Sequence, residues 1–135
     1  MAQTVAIDFD GVIHAYRKGW HDGTIYDEPV AGAFEAIGKF LASGYEVFIH
    51  TNRNAEAVCY WLNRNLYSRL RGVVAIMVLP DAVFWEPPEF GLYLRCIGVT
   101  NRKLPAVIYI DDRGLRFVNW EETLADFSNL EKEGW

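Results

Sequence analysis

The sequence predicts an α/β fold, a three-layer α/β/α sandwich built on a mainly parallel central sheet. Two observations carry that expectation. Four short segments are apolar on both faces and rich in β-branched or aromatic residues, as strands buried inside a parallel sheet are. The stretches between them place apolar residues at helical spacing or are long enough for crossovers, and strands alternating with helices imply right-handed connections.

The first strand spans residues 4–9 (TVAIDF). After Pro29, residues Val30, Phe34, Ile37, Phe40 and Leu41 share one helical stripe that Gly44 closes. Residues 45–50 (YEVFIH) form the second strand. A second helix over 54–70 carries Val58, Trp61, Leu62 and Leu66 on one side. Residues 73–79 (VVAIMVL) and 106–110 (AVIYI) are the remaining strands, and 120–132 (WEETLADFSNLEK) reads as a closing amphipathic helix. Two irregular segments, 12–28 and 80–102 with its Trp85-Glu86-Pro87-Pro88, are expected as loops. Both fall at the carboxyl ends of strands, where open α/β sheets bind ligands.

A chain of 135 residues suits one domain, and 51% hydrophobic with 15% aromatic residues is enough for a core without staples. A net charge of −5 and no long basic run argue against a protein whose affinity for nucleic acid rests on counterion release, so nucleic acid remains only as a substrate. Cys59 and Cys96 lack CxxC spacing and the N-terminus has no signal-like core, so reduced thiols and a cytoplasmic location are expected. No apolar run approaches the roughly 20 residues of a membrane span.

The polar residues then fall into place. Asp8 and Asp10 leave the first strand, with Gly11 allowing a sharp turn. Thr51 follows the second strand, Lys103 precedes the last one, and Asp111 and Asp112 follow it. The topology gathers them at one rim. Four acids there repel unless a cation sits among them, and Mg²⁺, which takes a few carboxylate oxygens plus water and phosphate oxygens, resolves the conflict. Asp8 and Asp111 are the first choice as side-chain ligands. In the Asp-x-Asp arrangement one acid can attack while the other transfers protons. A threonine hydroxyl and a lysine ammonium suit phosphoryl oxygens.

Arg53 can reach a phosphate or carboxylate in bidentate fashion, or form a surface ion pair. Asn52 joins the candidate phosphate-binding set, although Asn52 or Asn54 can instead cap the following helix. His14, Tyr16, Trp20 and His21 either shape a leaving-group pocket or pack on one another. His50 reads as a core histidine.

In order along the chain, Asp8-Phe9-Asp10-Gly11-Val12-Ile13, then Val47-Phe48-Ile49-His50-Thr51, then Lys103, then Ile108-Tyr109-Ile110-Asp111-Asp112 resemble the four motifs of the haloacid dehalogenase (HAD) superfamily. The resemblance covers nearly the whole chain. It implies a Rossmann-like core in which Asp8 is the nucleophile that forms an aspartyl-phosphate and Asp10 is the general acid/base. It further implies that Thr51 binds phosphate, that Lys103 neutralises Asp8 and the phosphate, and that Asp111 with Asp112 holds Mg²⁺ together with Asp8 and the Asp10 carbonyl. Family members that hydrolyse phosphate esters carry the second aspartate, so Asp10 implies a phosphatase rather than a dehalogenase. The gaps between motifs are too short for a cap domain. The expectation is one domain over 1–135 with a flap at about 12–28, acting on a phosphorylated small molecule or macromolecular end. Two other expectations compete with it: a phosphate-binding or protein-interaction module without turnover, and a receiver-type signalling domain phosphorylated on Asp81.

Overall fold

A computed structural model of the protein describes residues 3–89 and 94–134. In chain order the elements are β1 (Thr4–Asp8), α1 (Ala33–Ala42), β2 (Glu46–His50), α2 (Ala55–Arg69), β3 (Val73–Met77), β4 (Arg95–Thr100), β5 (Ile108–Ile110) and α3 (Trp120–Glu133). The five strands form one all-parallel sheet in the order β3-β4-β2-β1-β5. Residues 80–89 and 94–102, expected as loop, therefore contain a strand. No cap domain interrupts the described residues.

Alternation along the strands divides the core in two. Val5, Ile7, Val47 and Ile49 point to one face, where Phe34, Ile37 and Leu41 of α1 and Val58, Trp61, Leu62 and Leu66 of α2 cover them. Asn54 starts α2 by accepting a hydrogen bond from the Ala57 N–H at 3.0 Å, so the cap is Asn54 and Asn52 stays exposed. On the opposite face Ala6, Phe48 and Cys96 pack beneath Trp85 and Leu104, which come from loops. The third layer is thus not the final helix. No residue of α3 is buried, and Trp120 and Leu124 are exposed.

β4 escaped sequence reading for a physical reason. Its segment opens with Arg95 and carries Gly98 in its interior, a residue that weakens a strand pattern. Yet β4 lies inside the sheet between β3 and β2, and every residue from Cys96 to Thr100 is buried. Gly98 is required there because a Cβ would come within 2.8 Å of a Val78 methyl and 2.9 Å of the Trp85 ring. Among the described residues no helix is long and apolar enough to cross a membrane.

From β1 the chain crosses to β2 on one side, while β5 adds on the other. This is the switch point of the sheet, and the crevice at its carboxyl end is where an open α/β fold places a ligand.

Gly98→Ala is expected to lower the urea midpoint by the equivalent of about 1–3 kcal/mol, the usual cost of overpacking a filled core. An unchanged midpoint would show that Trp85 does not pack on β4 in this way.

Candidate active site

The parallel register sets the site. Ile7 pairs with Ile110, so Asp8 and Asp111 leave neighbouring strands at the same level. Carboxylate oxygens of Asp8, Asp111 and Asp112 all lie within 4.8 Å of one another. Gly11 makes room for this approach: its φ is +85°, and a Cβ there would sit 2.3 Å from Asp112 Oδ2. Asp111 is oriented by its own turn, its Oδ1 accepting from the Arg113 N–H at 2.5 Å and the Gly114 N–H at 2.9 Å.

No ion pair relieves the three acids among the described residues. Burial pushes the Asp8 carboxyl above its usual range, and the charges of Asp111 and Asp112 push in the same direction. The Phe9 amide, 3.0 Å from Asp8 Oδ1, and nearby His50 offset part of that rise. Three oxygen donors with neither nitrogen nor sulfur among them form a donor set suited to a hard cation.

Asp10 lies one residue beyond Phe9 in a different setting. Its carboxylate is outside the acidic trio. Arg53 Nε donates to both of its oxygens, at 3.1 and 2.9 Å, and His14 Nδ1 lies 2.8 Å from Oδ1. Arg53, 4% exposed, also ties down the flap: Nη1 donates to the Gly23 carbonyl at 2.8 Å, and the guanidinium lies over the Trp20 ring at 4.5 Å. Its Nη2, on the same edge of the guanidinium as Nε, is buried without a partner among the described residues. At the base of the flap, Ala15 N–H bonds the Glu28 carbonyl and Val30 N–H bonds the Ile13 carbonyl.

Thr51 sits at the end of β2, 2% exposed, and its Oγ1 accepts from the Arg53 N–H at 3.0 Å. Asn101, after β4, donates from Nδ2 to the carbonyls of both Thr51 and Arg53 at 2.7 Å. One strand over, Thr100 Oγ1 accepts from the Arg102 N–H at 3.1 Å. The same tripeptide, Thr-Asn-Arg, stands at 51–53 and at 100–102, so adjacent parallel strands end in the same turn. That repeat is the signal in the sequence from which β4 and Asn101 were both accessible.

Lys103 is exposed, with Nζ 5.3 Å from the centre of the Tyr109 ring, and pairs with no carboxylate among the described residues. It shares a cavity of about 640 Å³ with Asp111 and Arg116. The cysteines are remote from such chemistry. Both are buried, and burial pushes the Cys59 thiol up to about 11 and raises that of Cys96, so neither forms a thiolate readily.

Comparison of the chain with protein-family models, with curated proteins and with solved structures finds no match.

A raised carboxyl value in the folded state means that the native protein binds that proton more tightly than the unfolded chain, so ionising Asp8 costs stability as pH rises. Asp8→Asn is therefore expected to melt a few degrees above the wild type at neutral pH in EDTA. The gap should close below about pH 4, where the wild-type carboxyl is protonated. Thermal melts across pH check this, and a variant that melts below the wild type at pH 7 would contradict it.

Proposed function

We propose that the chain is a phosphomonoester hydrolase of the HAD type, dependent on a divalent cation, with Mg²⁺ the first choice, and working through phosphorylation of Asp8. One observation carries this reading. Two acids a single residue apart are held in different environments, Asp8 beside two further carboxylates with no ion pair among the described residues and Asp10 fixed by two donors away from them. A proton carrier has to be held in place and a nucleophile has to reach phosphorus, and this separation suits Asp10 to the first role and Asp8 to the second.

In the proposed reaction an Asp8 oxygen attacks phosphorus as the bond to the leaving oxygen breaks, and Asp10 gives that oxygen its proton. Water then attacks phosphorus, Asp10 takes a proton from it, and the phosphate–Asp8 bond breaks to return the carboxylate. Mg²⁺ held by Asp8, Asp111, Asp112 and the Asp10 carbonyl would offset the acids and draw a phosphoryl oxygen to Asp8. Thr51, whose Oγ1 already accepts from Arg53, keeps its O–H to donate to a phosphoryl oxygen, and Asn52 is exposed beside it. Lys103 would bring its charge from the cavity wall it shares with Asp111. The substrate is a phosphorylated small molecule or a macromolecular end.

The position of Lys103 over Tyr109, rather than paired with an acid, favours the second reading, a module that binds phosphate without turnover. A receiver domain has less support. Asp81 follows β3, the sheet edge, three strand positions or about 14 Å from β1.

Phosphate release from a panel of sugar phosphates, nucleotides, phosphopeptides and phosphorylated oligonucleotides tests the proposal. Release should require Mg²⁺, stop in EDTA, and fall by at least about 10³-fold in Asp8→Asn and in Asp10→Asn. Full activity in either variant would overturn it, and a folded protein that binds Mg²⁺ yet hydrolyses nothing would favour the binding module.

A further inference from the structure

His14 is wholly buried, and both of its ring nitrogens are engaged. Nε2 lies 2.9 Å from the Asp27 backbone nitrogen, which can only donate, so Nε2 must be the unprotonated acceptor. A neutral imidazole then carries its proton on Nδ1, and that N–H donates to Asp10 Oδ1 at 2.8 Å. The rings of Phe9, Tyr16, Tyr26 and Trp61 pack around the imidazole, with centroids 5.4 to 5.9 Å from its own. The tautomer is therefore set by the backbone of Asp27.

The two oxygens of Asp10 are consequently unequal. Oδ1 takes the whole of the His14 Nδ1–H and a share, at 3.1 Å, of the single Arg53 Nε–H, whereas among the described residues Oδ2 accepts only the other share of that N–H, at 2.9 Å. Oδ2 is the less engaged of the two oxygens.

We propose that His14 is a positioning residue that makes Asp10 Oδ2 the oxygen through which the proton passes. This rests on the acid/base role of Asp10 proposed above. In the acid form the proton sits on Oδ2 and is given to the leaving oxygen; in the carboxylate form Oδ2 accepts the proton of the attacking water. Without the Nδ1–H the carboxylate can turn about its Cβ–Cγ bond, and the two steps lose a common, fixed proton carrier. Misplacement on that scale acts on turnover rather than on binding.

Two substitutions separate positioning from packing. In His14→Asn the amide nitrogen stands where Nδ1 stood and still donates to Asp10. In His14→Gln the amide oxygen can accept from the Asp27 N–H, but the donor to Asp10 is lost. With the full chain, His14→Gln is expected to lose about 10- to 100-fold in kcat with KM within about threefold, while His14→Asn retains kcat within about threefold. Nitrogen-15 NMR of wild-type His14 should report a neutral Nδ1–H imidazole. An Nε2–H tautomer, or equal losses in the two variants that follow their melting temperatures, would overturn the inference. If the wild type is active and the variants do not separate, the positioning role alone falls; if the wild type releases no phosphate from any ester, the phosphatase proposal falls and takes the role with it.

Discussion

Three carboxylates crowded at one end of two parallel strands are the constraint around which the rest of the rim is arranged. Asp8, Asp111 and Asp112 approach because Ile7 and Ile110 stand in register and because Gly11 has no side chain in the way. Left alone, the cluster opposes folding, since Asp8 is half-buried among like charges. Among the described residues no lysine or arginine pairs with the cluster, and in the function proposed above a cation and a phosphate would complete it.

The same constraint explains why Asp10 is held elsewhere. Were its carboxylate free, it would be a fourth acid at the same rim. His14 and Arg53 draw it toward the flap, and both also engage that segment, His14 through the Asp27 amide and Arg53 through the Gly23 carbonyl and the Trp20 ring. The placement of Asp10 and the conformation of the flap are thus parts of one hydrogen-bonded unit. Asn101 extends it across the sheet by fixing the carbonyls of Thr51 and Arg53 from the end of β4. Functional groups on loops are as precise as the scaffold that holds them, and here buried polar contacts supply that precision.

Much of this was legible in the sequence, for reasons that differ between residues. Strands β1, β2, β3 and β5 declare themselves through continuous apolar runs, and Asp8, Thr51 and Asp111 follow from where those runs end. β4 does not, because Gly98 is dictated by the bulk of Val78 and Trp85, a packing fact that no local pattern expresses. The exposed α3 shows the converse: an amphipathic pattern states that a face is apolar, not that anything covers it. His14 could be placed in the flap but not assigned, since its partners lie at Asp10 and Asp27, joined only when the loop closes. Arg53 offered a guanidinium for phosphate or for a salt bridge, and the fold commits its Nε to Asp10.

The central claim is that Asp8 itself becomes phosphorylated, and trapping that state tests it most directly. Protein quenched in acid during turnover, reduced with borohydride and mapped by mass spectrometry should show Asp8 converted to homoserine, only with Mg²⁺ and substrate both present. Conversion at another aspartate, or phosphate release with no converted residue at any time point, would contradict the account.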